Sequence, residues 1–176
     1  MAHELIERKY MHRGKVLDLS LSRFKSLSKG DVTIEIVHHN GGAAAIPLFD
    51  DGTIALVRQW RYPLGRYSLE IAAGRIEPGD TPEQTAAREL EEELGLRASN
   101  LRKLVEFNVA PGYCEERIYV YLATGLVKSV QNLDDDEEIE SVQMPLSNAL
   151  ELVRRGEIDD AKSMVGLLMA STTVCG

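Results

Sequence analysis

The sequence predicts an α+β fold: an α/β/α sandwich preceded by a separate antiparallel β subdomain. Three observations carry this. Up to Asn40 apolar and polar residues alternate with period two; beyond it strand-like runs interleave with helical ones; and one of those helices is punctuated at both ends. The 176 residues suit one soluble domain with a small appendage, divided into 1–40 and 41–176. A chain of this length buries roughly 70% of the surface it exposes when unfolded, so it needs no disulfide or structural metal.

The N-terminal part reads as strands, clearest over Lys15–Phe24 and Asp31–Val37, turned at Arg13-Gly14 and again near Gly30. After Gly41-Gly42 come an apolar run (Ala43–Phe49), an Asp50-Asp51-Gly52 turn and a second run (Thr53–Val57). These predict a hairpin that opens the main sheet. Glu70–Gly74 ends another strand. The next helix is bounded by its own chemistry: Thr81 as N-cap, Pro82 in first position, Gln84 completing a capping box, and Gly95 at C′. It therefore spans Pro82–Leu94, with Ala86, Ala87, Leu90 and Leu94 as its apolar stripe. Leu104–Ala110 and Arg117–Ala123 read as strands, Ser147–Arg155 and Ala161–Ser171 as helices.

Composition narrows the function classes. With 28 acidic and 20 basic residues the net charge is −8, which argues against a nucleic-acid partner. No run of about 18 apolar residues occurs, and the first residues mix charges without a hydrophobic stretch, so neither a membrane span nor a secretory signal is expected. Cys114 and Cys175 have no metal-ligand spacing and fit a reduced, cytoplasmic setting. His3, His12, His38 and His39 show no ligand spacing and read as structural or surface residues, and the sequence suggests neither a Ser-His-Asp nucleophile nor a Walker loop.

The chemistry concentrates on the capped helix. Opposite the apolar stripe, Glu89, Glu91, Glu92 and Glu93 place four carboxylates within five residues, and positions 89, 92 and 93 share a face. Like charges at that spacing destabilise a helix by a few tenths of a kcal/mol per pair, which a divalent cation reverses. Mg²⁺ binds through one or two carboxylates plus substrate phosphates, so the cluster suits phosphoryl chemistry; the bland alternative is a solvated helix face.

The surrounding residues decide between these. Gly74, then Asp80, then Arg88-Glu89-Leu90-Glu91-Glu92-Glu93-Leu94-Gly95-Leu96 resemble the Nudix box over 23 residues, departing only at Asp80, where the box has Glu. The resemblance implies the Nudix sandwich with its mixed sheet, and metal-dependent hydrolysis of a diphosphate. It implies Glu89 and Glu93 as ligands, Glu92 as ligand or orienting group, and the Ala73 carbonyl completing the site. Arg88, one turn before Glu92, can hold that carboxylate by a charge-assisted bond. Two or more Mg²⁺ or Mn²⁺ ions are implied.

The flanks resemble the family's ADP-ribose pyrophosphatase group at three places: Leu69-Glu70-Ile71-Ala72-Ala73-Gly74-Arg75, with Ala72 where Pro is usual; Pro111, sixteen positions after Gly95, within Ala110-Pro111-Gly112-Tyr113-Cys114-Glu115; and Arg58-Gln59-Trp60-Arg61-Tyr62. Arg58 and Arg61 can meet the diphosphate through their guanidinium forks. Trp60 is either a core aromatic or a surface on which adenine stacks. Glu70, Pro111 and Glu115 complete the implied substrate contacts, Tyr113 and Glu115 serving ribose or metal. The acidic run from Asp134 to Glu140 is a solvated loop by itself; by resemblance it holds the general base, aligned on Glu137 with Glu138 and Asp135 next.

The expected substrate is a small nucleoside diphosphate sugar: ADP-ribose, cleaved to AMP and ribose 5-phosphate. GDP-mannose or a similar compound is the alternative, and a non-catalytic ADP-ribose-binding regulator is disfavoured by the intact box carboxylates. The resemblance further implies a homodimer that exchanges its N-terminal strands.

Overall fold

The structure, a computed structural model, describes residues 3–133 and 138–174. It divides into two compact units. Residues up to Gly41 pack with Asn108–Arg117, a segment the 40/41 division places in the second domain; Gly42–Phe107 packs with the described residues from Ile118 onward.

In the first unit β1 (Glu4–Arg13), β2 (Asp18–Ser26) and β3 (Gly30–His38) form an antiparallel sheet in that order, with Gly30 at φ 74° turning β2 into β3. All ten residues of β1 are exposed, and the buried side chains of β2 are two hydroxyls, Ser20 and Ser22. Neither apolar cluster of the described residues includes a side chain from this unit. The segment Asn108–Arg117 is stitched to β3 by Val37, whose N–H donates to Tyr113 O at 2.8 Å and whose carbonyl accepts from Glu115 N–H at 3.0 Å.

The second unit contains β4 (Gly42–Pro47), β5 (Thr53–Arg61), β6 (Arg66–Glu70), β7 (Ala72–Arg75), α1 (Pro82–Leu94), all but the last residue of β8 (Leu96–Asn108), all but the first of β9 (Arg117–Lys128), β10 (Ile139–Pro145), α2 (Leu146–Arg154) and α3 (Ala161–Val174). A mixed sheet runs β7-β4-β9-β8, with β4 antiparallel to β7 and parallel to β9; a second, antiparallel sheet runs β10-β5-β6. Strand alternation divides the core. Ala43, Ala45, Tyr121 and Ala123 pack with Ala86 and Leu90 of α1, while Ala44, Ile46, Val120 and Leu122 pack with Ala149 of α2 and Leu167 and Ala170 of α3. Gly166 lets α3 lie close against this second layer: a Cβ there would stand 3.0 to 3.3 Å from Val120, Ile46 and Ile71.

The helix bounds follow the sequence signals. Thr81 and Gln84 form both bonds of the capping box, and Gly95 at φ 61° closes α1. The expected hairpin is corrected. Its turn exists, with Phe49 N–H donating to Thr53 O at 2.9 Å, but β4 and β5 enter different sheets. The six residues of β4 are all buried and both its edges are taken by β7 and β9, so β5 pairs with β6 and β10 instead. Residues 139–145, which carry no clean alternation, also form a strand because β5 offers them an edge. Among the described residues no helix is long and apolar enough to cross a membrane.

Candidate active site

The carboxylate face of α1 is more buried than its charge suggests. Glu89 and Glu93 are 9% and 2% exposed and continue the i, i+4 line of buried Thr85, so they lie beside the apolar stripe of Ala86 and Leu90 rather than opposite it; Ala87 is exposed. Buried carboxylates need partners. Glu93 Oε2 accepts the Ala73 N–H at 3.0 Å, and Arg88 Nη1 stands 2.8 Å from an oxygen of both Glu89 and Glu92. Burial opposes the charge on Arg88, but Glu89 and Glu92 outweigh it and raise its pKa. Gly74 has no side chain for a definite reason: a Cβ there would collide with the Glu89 carboxylate. The Ala73-Gly74 backbone is thus a wall on which two acids of the helix rest.

Glu91 has another task. Its Oε1 accepts from Ser129 Oγ at 2.6 Å and from Arg97 Nε at 2.7 Å, bonds that lower its pKa. The segment after β9 also covers the end of α1: Ser129 N–H donates to Gly95 O at 2.7 Å, Asn132 N–H to Glu92 O at 3.0 Å, and Gln131 Nε2 to Glu93 O at 2.7 Å. Carbonyls that a helix end leaves without intrahelical partners are satisfied in this way.

Arg61 and Glu70 meet in a bidentate pair, Nε to Oε1 at 2.8 Å and Nη2 to Oε2 at 2.7 Å. Lys162 also pairs with Glu70 and, at 2.9 Å, with Asp160. Burial, the largest single influence, pushes the Glu70 carboxyl up, but Arg61 and Lys162 together bring it down to about 2. A cleft of about 400 Å³ opens here, lined by Arg61, Leu64, Arg66, Ser68, Glu70 and Lys162, among others. Arg58 does not join it. Three positions from Arg61, it lies on the opposite face of β5, stacked 4.6 Å over the Tyr67 ring and paired with Glu140 at 3.1 Å. Trp60 shares that outer face, 37% exposed and edge-on to Tyr67 at 5.2 Å, so it is a surface aromatic and not a core one.

In the first unit Pro111 opens the turn closed by Cys114 N–H on Ala110 O at 2.9 Å. Glu115 Oε2 lies 2.7 Å from His38 Nδ1, and His38 Nε2 lies 2.8 Å from Ser20 Oγ. A Ser-His-Glu chain is therefore present where the sequence suggested none, because its members are 18 and 77 positions apart. Ser20 is fully buried and shares its hydroxyl with Ser22 at 3.0 Å, so the chain ties strands together and offers no nucleophile. Glu137, aligned with the general base, lies outside the described residues.

Among the described residues no group of three or more His, Cys, Asp or Glu side chains is placed to hold a metal ion. The donor set nevertheless fits a hard, hydrated cation. Glu89, Glu92 and Glu93 offer carboxylate oxygens, and two of these already share one positive centre in Arg88 Nη1, while Mg²⁺ needs only one or two carboxylates and keeps waters. Lys162, Asp160 and Ser163 escaped the sequence reading. Asp160 ahead of Ala161 is a helix N-cap signal, but nothing marks the links from Lys162 to Glu70 and from Ser163 to Ile71, each 92 positions apart.

The family model of the NUDIX domain matches residues 38–165. An ADP-ribose pyrophosphatase of Bacillus subtilis is 38% identical over 165 residues, 93% of this chain and 89% of that protein. An ADP-ribose pyrophosphatase of Mycobacterium tuberculosis is 36% identical over 176 residues, 98% of this chain and 85% of its own. A crystal structure of an ADP compounds hydrolase superposes with a TM-score of 0.86 at 20% identity, covering 100% of this chain and 96% of that one.

Proposed function

The chain belongs to the Nudix family, and from that premise we propose that it hydrolyses the diphosphate of ADP-ribose to AMP and ribose 5-phosphate. The observation that carries the chemistry is the face of Glu89, Glu92 and Glu93, bridged by Arg88 and resting on the Ala73-Gly74 wall. The relatives at 36–38% identity support the substrate. Glu89, Glu93 and the Ala73 carbonyl would hold Mg²⁺ or Mn²⁺, two or more ions, with Glu92 ligating or held in place by Arg88. Such ions polarise phosphoryl oxygens and lower the pKa of a bound water. Arg61, its fork closed on Glu70, keeps its Nη1 side for a phosphate oxygen. Arg58 and Trp60 present a cation and an aromatic face suited to a nucleotide. Glu137 accepts the proton of the attacking water, Glu138 and Asp135 being the next candidates.

The protein acts as a cytoplasmic homodimer, a setting that fits the free Cys114 thiol. Leu5, Ile6, Tyr10 and Met11 of β1 are exposed on a sheet edge without an apolar cluster of its own, which a second copy can cover.

The deciding experiment is a panel of nucleoside diphosphate sugars assayed with Mg²⁺, Mn²⁺ and EDTA. AMP release from ADP-ribose, abolished by EDTA, is the expected result. Turnover of GDP-mannose alone overturns the substrate while sparing the enzyme class, and binding of ADP-ribose without cleavage returns the regulator reading.

A further inference from the structure

Helix α3 reaches the carboxylate wall from the far end of the chain. Ile71 falls between β6 and β7 and is fully buried, and its N–H donates to Ser163 Oγ at 2.9 Å. Ser163 is fully buried too; its hydroxyl donates to Asp160 Oδ2 at 2.5 Å, and the same oxygen accepts the Ser163 N–H at 3.0 Å and Lys162 Nζ at 2.9 Å. One carboxylate oxygen at the start of α3 thus fixes the hydroxyl, which fixes the Ile71 amide. Two residues on, the Ala73 N–H holds Glu93, and one further Gly74 faces Glu89. A buried amide left without an acceptor is costly, so the path of residues 71–74 depends on where Ser163 stands.

We propose that Ser163, oriented by Asp160, is a positioning residue for the metal-binding carboxylates. It sets the backbone that carries the Ala73 carbonyl and amide and leaves Glu89 its space. This rests on the metal-centre reading given above, and it assigns to α3, which contributes no ligand, control over how well the ligands converge.

Ser163→Ala removes the acceptor from Ile71. In the metal-free protein, amide exchange at Ile71 and Ala73, resolved by NMR, is expected to quicken about tenfold relative to the rest of β7, and Mn²⁺ affinity without nucleotide, read by EPR of the free ion, to fall about tenfold, the scale of losses in outer-shell support. Leu167→Ala, in the same helix and equally buried, controls for lost packing: it lowers the Tm while keeping wild-type Mn²⁺ affinity. Asp160→Asn, which keeps an oxygen at the cap, is expected to give a smaller change of the same kind and replaces Ser163→Ala if that protein does not fold. Wild-type exchange and Mn²⁺ affinity in the variants, or an equal loss in Leu167→Ala, overturns the proposal. A wild-type protein that binds no Mn²⁺ overturns the metal-centre reading instead, whereas the exchange at Ile71 still reports on the clamp.

Discussion

Asp80, the single departure from the Nudix box, has a measurable trace in the structure. Its carboxylate stands 4.0 Å from Arg88 Nε, too far for a hydrogen bond, and that buried nitrogen has no hydrogen-bond partner among the described residues. One more methylene can close the gap, so Asp80→Glu is expected to stabilise the protein by about 1 kcal/mol, read as a rise of about 2–4 °C in Tm. Gly74 works in the other direction. Gly74→Ala drives a methyl into the Glu89 carboxylate and is expected to cut metal-dependent activity by at least about a hundredfold, checked by rate against metal concentration. Glu93→Gln retains an oxygen for the Ala73 amide but loses the ligand charge; turnover is expected to vanish with the thermal midpoint nearly unchanged. Glu70 sets an acid limit. Its folded pKa of about 2 lies below the usual carboxylate value, so its stabilisation is complete above that value and lost as pH falls towards 2. An acid melt should therefore show on the order of 3 kcal/mol disappearing between about pH 5 and 2. Glu70→Gln should flatten that part of the curve.

At the level of elements, legibility followed the range of the forces involved. Helix α1 could be read to the residue because Thr81, Pro82, Gln84 and Gly95 act within one turn of its ends. The same cap gives a prediction: Thr81→Ala should cost about 1 kcal/mol, visible as a Tm decrease of about 2–4 °C. The box glutamates were legible because their spacing is local. Their burial was not, since it depends on β7, a strand whose contact with α1 no period announces. The β4–β5 turn was legible from Asp-Gly chemistry, but the divergence of its strands depends on which edges β7 and β9 occupy. Arg58 and Arg61 were grouped by charge, although an odd separation along a strand places them on opposite faces.

For the whole molecule, the net charge of −8 is a local quantity. Residues 70–93 hold eight acids against Arg75 and Arg88, and residues 134–140 hold six acids and no base, so the remainder of the chain is net positive. On the proposed function a diphosphate would approach acids whose field bound cations would first have to invert. Activity should fall steeply when free metal is chelated, with little change in fold by circular dichroism, because the carboxylates keep Arg88 and the Ala73 amide as partners. Gly166, finally, acts as a spacer by what it lacks. The layer distance between α3 and the sheet is set by hydrogen atoms against Val120, Ile46 and Ile71. A methyl there would lift the helix by a few tenths of an ångström and carry Ser163, one turn earlier on the same face, away from the Ile71 amide. On the proposed clamp, the convergence of the metal-binding carboxylates would thus depend on one carbon atom that is missing beneath α3.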